Sequence, residues 1–77
     1  MTIEQFNEFR RTTPFVPFAI HLADGRSFPV RHPDAAMLSR SGRTVQVMNA
    51  DRLIEIVDML LVISLRPLNK DELKNRR

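Results

Sequence analysis

Apolar and polar side chains alternate most clearly between Phe18 and His32. Phe18, Ile20 and Leu22 alternate with Ala19, His21 and Ala23, the period of a half-buried strand. Asp24-Gly25 is a hairpin signal, after which Phe28 and Val30 resume the alternation. A two-residue Asp-Gly loop would set Ile20 opposite Pro29 and Leu22 opposite Ser27, mixing core and solvent side chains on one face. A three-residue loop, Ala23-Asp24-Gly25, instead sets Leu22 opposite Arg26, Ile20 opposite Phe28 and Phe18 opposite Val30. A one-residue slip turns every side chain to the other face. The second register is therefore expected, with Gly25 at the left-handed third loop position, where a Cβ would clash. Pro29 then lies on the outward face of its strand and, lacking an N–H, asks for an edge or a bulge.

Upstream, the pattern changes to that of a helix. Ile3, Phe6 and Phe9 fall on one face between Thr2 and Thr12, with Glu4, Glu8 and Arg11 off it. Thr2 and Gln5 form a capping-box pair, and Pro14 disfavours helical geometry at Thr13. So short a helix is marginal alone in water; its Phe face must dock on the strands that follow. Residues 13–17 read as an extended connector, Phe15 packing inward and Val16 staying near the surface.

Downstream, His32-Pro33-Asp34 breaks the strand, and Ala36 to Met48 reads as a second hairpin around Ser41-Gly42. Pairing Leu38 with Val45 and Ala36 with Val47 keeps the apolar side chains together and sets Arg40 opposite Arg43. Asn49-Ala50-Asp51 is a turn cluster. Residues 53–65 are ambiguous. As a helix, Leu53, Val57, Leu60, Leu61 and Ser64 share a face; as strands, 52–57 and 62–66 flank a tight turn at 58–61. Five β-branched residues, and the want of a polar face across Met59–Ile63, favour strand–turn–strand. The expected fold is mainly β with an N-terminal helix at about 2–12: a small five-stranded antiparallel barrel. Its extended segments lie at about 18–22, 26–32, 36–40, 43–48, 52–57 and 62–66. Residues 1–68 form one domain and 69–77 a charged C-terminal tail.

Composition narrows the function. The chain has 77 residues and no cysteine, which excludes disulfides and thiolate metal sites. No apolar run approaches the roughly 20 residues that span a bilayer, and residues 1–5 lack the features of a signal peptide. A cytoplasmic location and no membrane contact are expected. The net charge is +3, but residues 1–66 carry eight Arg against seven Asp or Glu. Most of the excess is in the tail, which argues against a broad phosphate-tracking face.

Candidate chemistry is sparse. His21 faces away from Ile20 and Leu22, as a solvent-facing or partner-facing strand residue would; a base or ligand role is the sharper alternative. His32-Pro33-Asp34 places an imidazole near a carboxylate, yet a cap or turn explains it equally well. Two histidines leave little scope for a metal site, and two glycines exclude a Gly-rich nucleotide loop. No nucleophile triad is visible, so neither an enzyme nor a cofactor is expected. Arg26, Arg40 and Arg43 sit at hairpin ends, where they could converge on a phosphate or carboxylate. Arg10-Arg11 suits the negative end of the helix dipole. There is no Trp or Tyr, and Phe6, Phe9, Phe15, Phe18 and Phe28 all have core duties, which disfavours single-strand nucleic acid. Met37, Met48, Met59 and Leu61 could form an exposed apolar patch, the usual mark of an interface in a small domain.

The order Pro14-Phe15-Val16-Pro17-Phe18, Asp24-Gly25-Arg26, His32-Pro33, Gly42-Arg43 resembles a family of small uncharacterised bacterial proteins over residues 6–67. That resemblance implies a shared fold and brings no activity with it. Ile20-His21-Leu22-Ala23-Asp24-Gly25 is more loosely similar to the first turn of Sm-like (Hfq-type) RNA-binding barrels, and Asp34 lies near their acidic loop residue. Their strand-bending glycine would fall near Val30, and their Tyr-Lys-His near Val57-Asp58-Met59, which has none of those groups. The likeness implies an Sm/SH3-like architecture more than RNA binding. The expected function is a non-enzymatic module that binds an unknown protein partner or itself as a homo-oligomer. Weak RNA or DNA binding through Arg26, Arg40 and Arg43 is the alternative.

Overall fold

A computed structural model describes residues 1–49 and 51–69. Helix α1 spans Ile3–Arg11. It begins at the expected capping box: Gln5 N–H donates to Thr2 Oγ1 at 3.1 Å, and Thr2 N–H donates to Gln5 Oε1 at 3.1 Å. The chain leaves helical geometry at Thr12, whose hydroxyl donates to the Glu8 carbonyl at 2.6 Å. The helix docks through aromatic edges. Phe6, Phe9 and Phe15 surround the Phe18 ring at centroid distances of 6.2, 5.3 and 6.0 Å. Val16 is exposed, and Phe15 is packed against the core.

The strands are β1 (Phe18–Leu22), β2 (Ser27–Val30), β3 (Ala36–Leu38), β4 (Thr44–Met48), β5 (Ile54–Asp58) and β6 (Val62–Pro67). They form two three-stranded antiparallel sheets, ordered β2-β1-β6 and β3-β4-β5. The β1–β2 register pairs Phe18 with Val30 and Ile20 with Phe28, as the apolar faces required. Gly25 has φ +94°, and Leu22 N–H donates to the Arg26 carbonyl at 2.9 Å across the three-residue loop. The second hairpin pairs Ala36 with Val47 and Leu38 with Val45. Residues 53–65 are two strands joined by a 3₁₀ turn at Met59–Leu61, which Asp58 caps: its Oδ1 accepts from Leu60 N–H at 2.9 Å. That turn carries the chain from one sheet to the other.

Two expectations need correction. There are six strands where a five-stranded barrel was expected, and neither sheet closes on the other. Bonded and non-bonded pairs alternate along an antiparallel ladder, so each edge's outward groups can be read from the turns. Leu22 bonds Arg26, which leaves Pro29 facing the open edge of β2; Leu68 N–H bonds the Pro17 carbonyl at 2.9 Å, which leaves Pro67 facing the open edge of β6. Neither proline has a proton to give, so both borders of this sheet lack a donor that closure would use. The second correction is to strand length. Ser39 N–H donates to the Thr44 carbonyl at 2.9 Å, so 40–43 is a four-residue loop, and Arg40 and Arg43 stand outside the strands.

The core lies between the sheets. Phe18, Ile20, Leu22, Phe28 and Val30 from one sheet meet Ala36, Val45, Val47 and Val57 from the other, with Phe6, Met59 and Val62 closing the ends. Among the described residues no helix is long and apolar enough to cross a membrane. The expected tail falls almost wholly outside the described residues, as does Ala50 of the 49–51 turn.

Candidate functional site

Arg26, Arg40 and Arg43 do not converge. Arg26 Nε donates to Asp24 Oδ2 at 2.9 Å, and Arg26 Nη1 reaches Glu55 Oε1 at 3.4 Å. Its guanidinium also lies 5.9 Å from the Phe28 ring centroid. The Arg26 N–H, first of all, holds the Asp24 carboxyl below its usual value, and the guanidinium adds to the effect. Glu55 Oε2 accepts from Asn49 Nδ2 at 3.2 Å, and Asn49 Oδ1 accepts from the N–H groups of Asp51 and Leu53. Arg26 is thus tied to the β4–β5 turn. Arg43 lies at the other end of β4, where its carbonyl accepts from Met59 N–H at 2.8 Å.

The histidines are also apart. His21 sits between Ser27 and Ser64 on the neighbouring strands, and its Nε2 is buried without a hydrogen-bond partner. His32 is exposed and extended ahead of the 3₁₀ turn Pro33–Ala35. No hydrogen bond or ion pair joins His32 to Asp34 among the described residues. No group of three or more His, Asp or Glu among those residues could hold a metal ion.

The expected apolar patch is partly rebuilt. Met59 is 4% exposed and belongs to the core, because the Asp58-capped 3₁₀ turn rotates it inward. Leu61 is exposed on that turn. Met37 and Met48 do face outward, and β5 adds Ile54 and Ile56, 62% and 67% exposed. The registers Met37–Gln46–Ile56 and Met48–Ile54 place these four side chains on one face of the β3-β4-β5 sheet. Ile54 and Ile56 were not visible beforehand because Leu53, Ile54, Ile56 and Val57 are apolar on both parities. The available signal was Gln46: it lies between the inward Val45 and Val47, so its partner must point outward.

Among the described residues nothing pairs with the outer edge of this face. Asn49 N–H donates to the Leu53 carbonyl at 2.8 Å at one end of the β4–β5 ladder, and Met59 N–H donates to Arg43 at the other. By alternation the backbone groups of Ile54, Ile56 and Asp58 point away from β4. The other borders are protected: Pro29 on β2, only three residues in β3, and a register shift plus Pro67 on β6. β5 has five residues with no proline, no bulge and no basic side chain.

Elsewhere a groove of about 290 Å³ separates α1 from the 40–43 loop, lined in part by Asn7, Arg10, Arg11 and Arg40. Arg10 Nε and Asn7 Oδ1 are buried there without partners. Its form depends on Gly42, at φ +75°, over which the Ile3 side chain packs. That tertiary contact leaves no trace in local sequence pattern. Compared with known proteins, the chain matches no family model, no curated protein and no solved structure.

Proposed function

We propose that this chain is a non-enzymatic self-assembly module: an open Sm/SH3-like small barrel whose β5 edge pairs antiparallel with β5 of a second copy. The bare edge carries the reading. Unpaired strand borders template further pairing, and here the side chains beside the free N–H and C=O groups are Ile54 and Ile56. A two-fold interface pairs the same patch on both subunits. Centring it on Ile56 puts Ile56 against its own copy and Ile54 against Asp58 of the partner subunit, with no like charges directly opposed. Centring it on Glu55 would oppose two carboxylates, which is unfavourable. Continuity of Met37, Met48, Ile54 and Ile56 across the joint then gives the enlarged sheet one apolar outer face.

Light scattering from micromolar to millimolar protein tests this. The expected mass rises from 8.9 kDa towards twice that value and does not fall as salt is added, since backbone pairing and apolar contact are not screened. Ile56→Lys should stay folded and monomeric. A constant monomer mass would refute the reading, and retention on a polyanion that salt abolishes would favour nucleic acid instead.

A further inference from the structure

We propose that the groove between α1 and the 40–43 loop binds a phosphate monoester carried on a small organic body, with Arg10, Arg11 and Arg40 holding the phosphate. Arg10, Arg11 and Arg40 line one concavity of about 290 Å³, and among the described residues no carboxylate lines it. No ion pair joins Arg10, Arg11 or Arg40 to a described carboxylate, although Glu4 and Glu8 flank Arg11 on the side of α1 away from the loop. The buried atoms add a second, independent indication. Arg10 Nε has its donor out of water with nothing to receive it, and the Asn7 amide beside it is unpartnered at Oδ1. Amide O and N are interchangeable by a half-turn. So turned, Asn7 presents Nδ2 as a donor one helical turn from Arg10, and an anion reaches both once these side chains, whose atoms are closed to solvent, swing into the groove.

The number of forks selects the anion. A carboxylate offers two oxygens, which one guanidinium can occupy; a phosphate monoester offers three terminal oxygens and close to two charges, matching three arginines. The walls select the rest of the ligand. Ile3 and Met37 supply apolar surface at the groove, enough for a small organic group at the lower end of ligand-pocket size. No aromatic side chain lines it for base stacking, and Arg26, the arginine on the first hairpin, is neutralised by Asp24 and Glu55. The helix–loop frame of the groove is preformed. Ile3 over Gly42 holds the helix to the loop, while Ser39 Oγ accepts from Thr44 N–H at 3.2 Å and fixes the loop's base.

Nitrogen-15 NMR of the full chain, including the arginine Nε–H signals, provides the test, with phenyl phosphate, inorganic phosphate, benzoate and a short single-stranded RNA as probes. The expected result is saturable movement of the Arg10 Nε–H and Asn7 side-chain signals, tightest with phenyl phosphate and weakest with benzoate. Arg40→Ala, in an exposed loop, should weaken phenyl phosphate about tenfold or more, equivalent to about 1.4 kcal/mol. Arg31→Ala should leave the affinity unchanged within about twofold, as expected for an arginine outside the groove. Non-saturating shifts spread over all arginines, an unchanged affinity in Arg40→Ala, or saturation by RNA alone would each overturn the proposal. Equal affinity for phenyl phosphate and inorganic phosphate would overturn the part assigned to the organic body. None of these outcomes depends on β5 pairing.

Discussion

Ile3 occupies the space that a side chain on Gly42 would need: its Cγ1 lies 2.6 Å from the position of a Cβ there, and its Cδ1 is closer still. The first turn of α1 is thereby set on the tip of the second hairpin. Helix placement, loop shape and the arginine groove share this contact.

Gly42→Ala should therefore lower stability by about 1–3 kcal/mol, combining left-handed strain with the steric conflict. Gly25→Ala meets nothing within 4 Å, and it should cost only the conformational part, about 1 kcal/mol. Adding Ile3→Ala to Gly42→Ala should recover part of the loss, while adding it to Gly25→Ala should not. Urea unfolding of these four variants and of Ile3→Ala alone measures these differences, and equal costs at the two glycines would contradict the contact.

Thr2→Ala removes the hydroxyl that accepts from Gln5 N–H and should cost about 1 kcal/mol. Thr2→Ser keeps the acceptor and should be nearly neutral. Thermal unfolding of the pair tests whether the capping box stabilises α1.

Asp24 titrates lower in the fold than in the unfolded chain, where the carboxyl value is 3.8. Its charged form is the one the fold favours, so the stabilisation is fully present above 3.8, declines as the pH drops below it, and is lost beneath the folded value. Asp24→Asn should be less stable than the parent chain at neutral pH, and the gap should close in acid. A gap independent of pH would mean that the carboxylate charge plays no part.

Local pattern carried much of the fold. Gly25 and the alternation around it determined the first hairpin's register, and Val45 with Val47 determined the second. The β-branched run decided 53–65 in favour of strands. Sheet closure was not legible, because it depends on which backbone groups meet across distant edges; Pro29 hinted at an edge, but nothing local said that Pro67 would form another. Met59 was misplaced because the inward turn follows from the Asp58 cap, which a continuous apolar run conceals. Arg10 and Arg11 looked sufficiently explained by the helix dipole. Their approach to Arg40 arises only when Ile3 settles on Gly42.

Replacing Met37 and Met48 with Gln should weaken self-association without abolishing it, since the β5 backbone edge remains. Ile56→Lys should abolish it. Far-ultraviolet circular dichroism should be unchanged in both, because these side chains are exposed and surface changes usually alter stability by no more than about 0.5 kcal/mol. Equal loss of association in the two variants would place the interface on the sheet face and not at its edge.

The most direct measurement is amide hydrogen exchange at Ile54, Ile56 and Asp58 as a function of protein concentration. These N–H groups point away from β4, so in a single copy they exchange rapidly while those of Glu55 and Val57 are protected. Pairing of two β5 strands predicts that protection at Ile54, Ile56 and Asp58 appears as concentration rises and disappears in Ile56→Lys. Rapid exchange at all three up to millimolar protein would contradict the assembly.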